Sequence, residues 1–233
     1  MFPEISRGNP SLLGWGLAPK RPNAMTPILY SFRRCPYAMR ARLAIRSAGI
    51  QTELREIVLR DKAPEFLDVS PKATVPVLVT TGQTIEESYD IMLWALRQND
   101  PDDWLQNADH DLIKEADGPF KDALDRTKYA VRFEDADPEV EREKANTFLR
   151  KISSRLNPYL GGTKPNLTDM AILPFVRQFA NIDRARFDAD HTGLKSWLDE
   201  FLTSDQFQAI MTKYPKWQSG DLATKFPVAH QSA

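Results

Sequence analysis

Apolar and polar positions alternate in two regimes along this chain. Near its start the pattern is strand-like and short: residues 27–31, Pro-Ile-Leu-Tyr-Ser, form a largely apolar run bounded by proline and read as a buried strand. Residues 36–48 are rich in Ala, Arg, Leu and Met and stop at Gly49, which predicts a helix with Pro36 at its first position and glycine just past its end. Residues 52–58 alternate again, with Leu54, Ile57 and Val58 apolar, so strand, helix and strand predict a parallel pair with its crossover. A loop and short helix over 60–67 lead to a second β-rich run, 70–79, interrupted by Pro76. Thr80-Thr81-Gly82-Gln83 then predicts the turn of an antiparallel hairpin.

Glu86-Glu87-Ser88 opens a helix over 89–98, with Ser88 and its neighbours as the cap and Ile91, Leu93, Trp94 and Leu96 as the apolar face. Residues 99–106, with Asp100-Pro101-Asp102-Asp103, break the pattern and read as a linker. Beyond it everything reads as helical. A helix over 109–132 carries a kink at Gly118-Pro119, and another covers 139–156 through Val140, Phe148, Leu149 and Ile152. Asn166 is the expected N-cap of an almost wholly apolar helix over 170–180, with Asp169 completing a capping box; short helices follow at 194–202 and 205–211. A tail from Tyr214 packs back by its aromatics. The expected division is an irregular extension at 1–25, a sheet unit at 26–98, a linker at 99–107 and an all-helical unit with tail at 108–233.

Composition narrows the chemistry. The 233 residues carry 31 basic and 32 acidic side chains, so no strong field selects nucleic acid or an anionic membrane. Arg33, Arg34, Arg40, Arg42 and Arg46 read as a solvated helix face. His110, His191 and His230 lie far apart and show no ligand spacing, so no metal site is expected. No apolar run approaches the roughly 18 residues of a membrane span.

There is one cysteine, Cys35, which excludes an internal disulfide and fits a reducing, cytoplasmic setting. It falls where the first strand turns into the first helix. Unpaired amides and the helix dipole favour negative charge there, which predicts a stabilised thiolate. A drop in thiol pKa from about 8.5 to about 6 raises the thiolate fraction at pH 7 from about 3% to about 90%. Lower nucleophilicity leaves only about a twofold faster attack, but such a sulfur also departs easily from a mixed disulfide. Residue 38 is alanine, so a second thiol has to come from outside the chain. The competing reading is a small buried hydrophobe.

Two further stretches bear on binding. Pro76 belongs at a strand start, suits a cis bond, and leaves the amide and carbonyl of Val75 free to dock an extended peptide backbone. The helix start at Glu87-Ser88 offers amides and a hydroxyl to a carboxylate, and Glu87 a partner to an ammonium. Each also has an ordinary structural reading, as an edge-strand proline and as an acidic helix cap.

In this order, Cys35-Pro36-Tyr37-Ala38-Met39-Arg40, Ser70-Pro71-Lys72-Ala73-Thr74-Val75-Pro76-Val77-Leu78, Glu87-Ser88 and the run from Asn166 to Phe175 resemble the cytosolic glutathione S-transferases. The likeness covers about residues 27–217, and Cys-Pro-aromatic is most similar to the cysteine-type, omega-like and bacterial members. It implies a thioredoxin-like N-terminal domain (βαβ-ββα) followed by an all-α domain, glutathione as co-substrate, and a homodimer. It further implies that Cys35 forms the mixed disulfide, that Val75 and Pro76 border the cysteinyl backbone, that Glu87 and Ser88 hold the γ-glutamyl end, and that Lys62 meets the glycyl carboxylate. Lys62-Ala63-Pro64 departs from the commoner Lys-Pro. The implied activity is thiol transfer, or glutathione-dependent reduction of dehydroascorbate-like compounds. The partners are glutathione and a small electrophilic or disulfide substrate. Two alternatives stand beside it: conjugation, with Tyr30 or Ser31 supplying a hydroxyl to the glutathione thiolate, and a non-catalytic module of the same fold that binds a protein.

Overall fold

The computed structural model describes residues 25–228. Apart from Met25, the extension expected over 1–25 lies outside the described residues, as does His230. β1 (Ile28–Ser31), α1 (Pro36–Ser47) and β2 (Thr52–Glu56) open the fold, with β1 and β2 parallel and Leu29 opposite Leu54. A parallel pair needs a crossover, and α1 supplies it. Gly49 closes α1 at φ +66°, in the left-handed region that glycine enters without strain.

After α2 (Pro64–Val69), β3 (Val77–Thr80) and β4 (Gln83–Ile85) form the expected antiparallel hairpin, and β3 also pairs antiparallel with β1. The Val75-Pro76 peptide just before β3 is cis. α3 (Ser88–Leu96) then covers the sheet alongside α1. Its buried positions are Ser88, Ile91, Met92, Ala95 and Leu96, so Leu93 and Trp94 belong to the flank rather than the centre of the expected face. The N-cap is Glu87, not Ser88, which is already the first helical residue.

The tail corrects the all-helical expectation for the second half. β5 (Lys225–Phe226) adds to the sheet antiparallel to β2, giving the order β4-β3-β1-β2-β5. Two residues are too few to show a period, so only the tertiary contact reveals this strand. Phe226 is buried, and its carbonyl accepts a hydrogen bond from the Thr52 hydroxyl at 3.0 Å. Trp217 packs edge-on against Tyr30, the aromatic return expected of the tail.

Helices make up most of the remainder. α4 (His110–Glu115) runs through a π-helical turn, Ala116–Phe120, into α5 (Lys121–Lys128), and Pro119 inside that turn is the physical form of the expected kink. α6 (Pro138–Ser153), α7 (Leu167–Ala180), α8 (Arg184–Asp190), α9 (Thr192–Thr203) and α10 (Asp205–Ile210) follow. The pattern did not reveal α8, and Val140 faces solvent instead of the core. The break at 99–106 is a pinned turn: the Asp100 carboxylate accepts from the amides of Trp104 and Leu105, and the buried Trp104 receives the Leu167 amide on its carbonyl at 2.9 Å.

α7 is the axis of the helical half, buried at nearly every position. Its capping box is complete: Asn166 Oδ1 accepts from the Thr168 amide at 2.8 Å, and Asp169 Oδ2 accepts from the Asn166 amide at 3.0 Å. Asp169 also accepts from the amides of Leu160 and Gly161 and from Trp197 Nε1. Burial pushes the Asp169 carboxyl up, while these bonds pull it down.

α1 holds the largest departure from expectation. Arg40 and Arg42 are not on a solvated face; both are 0% exposed. The helix packs against α3, α7 and α10, so these two positions point into protein, whereas Arg46 and Ser47 near its end are only half-buried. Arg40 Nε donates to the Ala171 carbonyl on α7, and its guanidinium pairs with Asp117 at 2.5 Å. Arg42 donates to the Ser31 hydroxyl at 2.8 Å and the Ile210 carbonyl at 2.9 Å, and pairs with Glu56. Desolvation lowers the pKa of both arginines, and the facing carboxylates raise it again.

Candidate active site

Cys35 is the N-cap of α1, in extended conformation at φ −74° and ψ 123°, with Pro36 next. Its amide donates to the Phe32 carbonyl at 3.0 Å, which closes the turn out of β1. Glu56 fixes that turn from the side: one carboxylate oxygen accepts from the Arg33 amide at 2.7 Å, and the other pairs with Arg42. A buried ion pair thus holds the backbone two residues before the sulfur.

The thiol is half-buried and faces the proline-bounded edge, where Sγ donates to the Val75 carbonyl at 3.5 Å. The direction of its pKa departs from the sequence expectation. Burial pushes the Cys35 thiol up, outweighing the downward pull of the Ala38 and Tyr37 amides and, more weakly, of Lys121 and Arg42. The helix-mouth amides are where the sequence predicts them, but desolvation penalises the charged form more strongly. The resting sulfur is therefore a protonated donor. Beside it, burial first of all pushes the Tyr37 phenol up to about 12, so it is neutral near pH 7.

Two cavities meet at this sulfur. One, of about 550 Å³, is lined by Cys35, Lys62, Val75, Pro76, Glu87 and Ser88, which brings together all the residues that the sequence nominates for glutathione. Among the described residues Lys62 has no ion-pair partner, whereas Glu87 pairs with Lys72 at 3.2 Å across an exposed gap. The second, of about 540 Å³, opens on the other side of Cys35 and Tyr37 against α5 and α7. Both volumes fall in the usual range for small-molecule sites.

Tyr30 and Ser31, the alternative hydroxyls, line neither cavity. Both are buried: Tyr30 takes a hydrogen bond from Arg55 at 2.7 Å, and Ser31 takes one from Arg42 at 2.8 Å. Sequence reading missed Lys72 and Glu86 in the first cavity and Lys121 and Arg177 in the second. Lys72 sits inside the Ser70–Leu78 motif and was within reach of the pattern. Arg177 lies on an apolar helix with no local signal. Among the described residues no group of three or more His, Cys, Asp or Glu side chains is placed to hold a metal ion, and no helix is long and apolar enough to cross a membrane.

A βαβ-ββα unit with a cysteine at its first helix mouth, joined to a helical bundle, is the architecture of a thioredoxin-like domain in a glutathione-transferase fold. Residues 29–104 match the family model described as glutathione S-transferase, N-terminal domain. The chain is 27% identical to glutathione S-transferase omega-1 of Mus musculus over 80% of its length and 81% of that protein. It is 28% identical to the omega-1 enzyme of Sus scrofa over 88% and 89%. Glutathione transferase Omega 3C from Trametes versicolor superposes with a TM-score of 0.67 at 19% identity, over 82% of this chain and 91% of that one, a likeness of fold. Residues 29–104 thus match the glutathione S-transferase N-terminal domain, and the chain is similar over four fifths of its length or more to omega members of that family.

Proposed function

We propose that the chain is a glutathione-dependent thiol transferase in which Cys35 forms a mixed disulfide with glutathione. What carries this reading is the position of the sulfur, at the junction of the two cavities and in contact with the Val75 carbonyl at 3.5 Å. Glutathione lies in the first cavity. Its cysteinyl amide takes the Val75 carbonyl, its γ-glutamyl end meets Glu87 and Ser88, and its glycyl carboxylate meets Lys62.

That docking bears on the resting protonation. Once the substrate amide occupies Val75, the thiol loses its acceptor, and the Tyr37 and Ala38 amides remain to stabilise the thiolate. The Cys35 thiolate attacks the glutathionyl sulfur of a mixed disulfide, the S–S bond breaks, and the acceptor departs as its own thiolate and is protonated by solvent. A second glutathione thiolate attacks the Cys35–glutathione disulfide, releasing oxidised glutathione and regenerating Cys35. One glutathione mixed disulfide and one free glutathione enter each cycle, and the reduced thiol and oxidised glutathione leave. A reducing cytoplasmic compartment supplies them, and a homodimer is the assembly expected from the family resemblance.

Conjugation through Tyr30 or Ser31 has no geometric support, because both hydroxyls are buried and engaged. The test is Cys35→Ser. Thiol-transferase turnover is expected to fall to background; turnover that survives the substitution overturns the assignment.

A further inference from the structure

The second cavity carries a charge imbalance that the reaction above does not use. Arg34, Lys121, Lys128 and Arg177 line it against the single carboxylate of Asp125, in a chain whose net charge is −1. Asp125 is already engaged by Lys121. Arg34 and Lys128 are exposed at the rim, whereas Arg177 is half-buried. Among the described residues Arg177 has no carboxylate partner; its recorded side-chain contact is with the Phe207 ring, 5.4 Å away.

A partly desolvated guanidinium without a counter-ion is costly. Burial and the positive charge of Arg33 both lower its pKa, with no acid acting against them. Its place in the last turn of α7 complements the helix dipole, which accounts for a cation there. The dipole does not account for a cation opening on a cavity that three other cations share. An anion in the cavity offsets both the desolvation and the mutual repulsion, and a guanidinium suits a carboxylate through its forked donors.

Resting on the thiol-transfer reading of Cys35, we propose that the acceptor substrate is anionic: a small thiol, held as its mixed disulfide with glutathione, that carries a carboxylate bound by Arg177. Arg34 and Lys128 draw such a substrate in, and Cys35 takes the glutathionyl group as described.

The test separates recognition from chemistry. Three unreactive thioethers, S-carboxyethyl, S-hydroxyethyl and S-aminoethyl glutathione, are titrated calorimetrically into the full chain. The carboxylate probe is expected to bind about tenfold more tightly than the hydroxyl probe, with the amine weakest, as one charge-assisted contact would give. Arg177→Gln should cut the carboxylate-to-hydroxyl ratio to within about twofold, and Arg177→Lys should keep part of it. In the unaltered protein the ratio should also shrink between about 0.05 and about 0.5 M salt, which keeps the test decisive if the variants fail to fold. Equal binding of all three probes, or a ratio indifferent to salt, overturns the anionic acceptor while leaving thiol transfer intact. No binding of any probe overturns both. A carboxylate preference without turnover of the mercaptopropionate–glutathione disulfide supports the anion site and overturns the thiol-transfer chemistry.

Discussion

The Cys35 thiol donates to the Val75 carbonyl at 3.5 Å, and only a protonated sulfur can make that bond. Burial pushes its pKa up, so the ligand-free thiol stays protonated above the pH at which an ordinary cysteine ionises. Because Cys35 is the chain's single cysteine, a titration of thiolate absorbance reports on it alone. The midpoint should lie above that of a free thiol and fall when S-methyl glutathione is bound. An unliganded midpoint below the free-thiol value contradicts the contact. The linked stability has a definite sign: the folded state holds this proton more tightly, so the contribution is full below the unfolded pKa and is lost as pH rises through the folded one.

Glu56 ties the turn before Cys35 to the core through the Arg33 amide and the Arg42 guanidinium. Glu56→Ala leaves Arg42 buried and uncompensated, and should cost about 3–5 kcal/mol in denaturant unfolding. A loss below about 1 kcal/mol would mean that water or a rearranged neighbour satisfies Arg42.

Asp169 accepts hydrogen bonds from three amides and from the Trp197 indole. Asp169→Ala should lower stability by about 3 kcal/mol or more and change the Trp197 fluorescence, since it removes the capping box and strands buried donors. Unchanged unfolding would show that α7 does not depend on its cap.

Glu87 is exposed in the first cavity, and among the described residues its ion-pair partner is Lys72. Glu87→Gln should raise KM for glutathione about tenfold with little change in kcat, as expected when a ground-state contact to an ammonium is removed. A loss confined to kcat would place Glu87 in the chemistry instead.

What the sequence makes legible here is what local rules determine. Pro36 and Gly49 bracket α1, Asn166 and Asp169 start α7, and Gly82 turns the hairpin, each acting over a few residues. The nominated residues Cys35, Lys62, Val75, Pro76, Glu87 and Ser88 lie around one cavity because each sits at an element boundary that such rules locate. The unread features are tertiary. Arg40 and Arg42 read as surface residues because their partners, Asp117, Glu56 and the Ala171 and Ile210 carbonyls, come from elsewhere in the chain. β5 exists only through its pairing with β2. The helix mouth at Cys35 is visible in the sequence, but the desolvation that reverses its expected pKa depends on packing.

In the proposed reaction one sulfur, that of Cys35, accepts and releases a glutathionyl group. Intact-mass analysis after exposure to oxidised glutathione tests it most directly. A single adduct is expected, located on Cys35, absent from Cys35→Ser, and removed by reduced glutathione with no other reductant. A chain that binds glutathione yet forms no adduct, or one that reduced glutathione cannot remove, would contradict it.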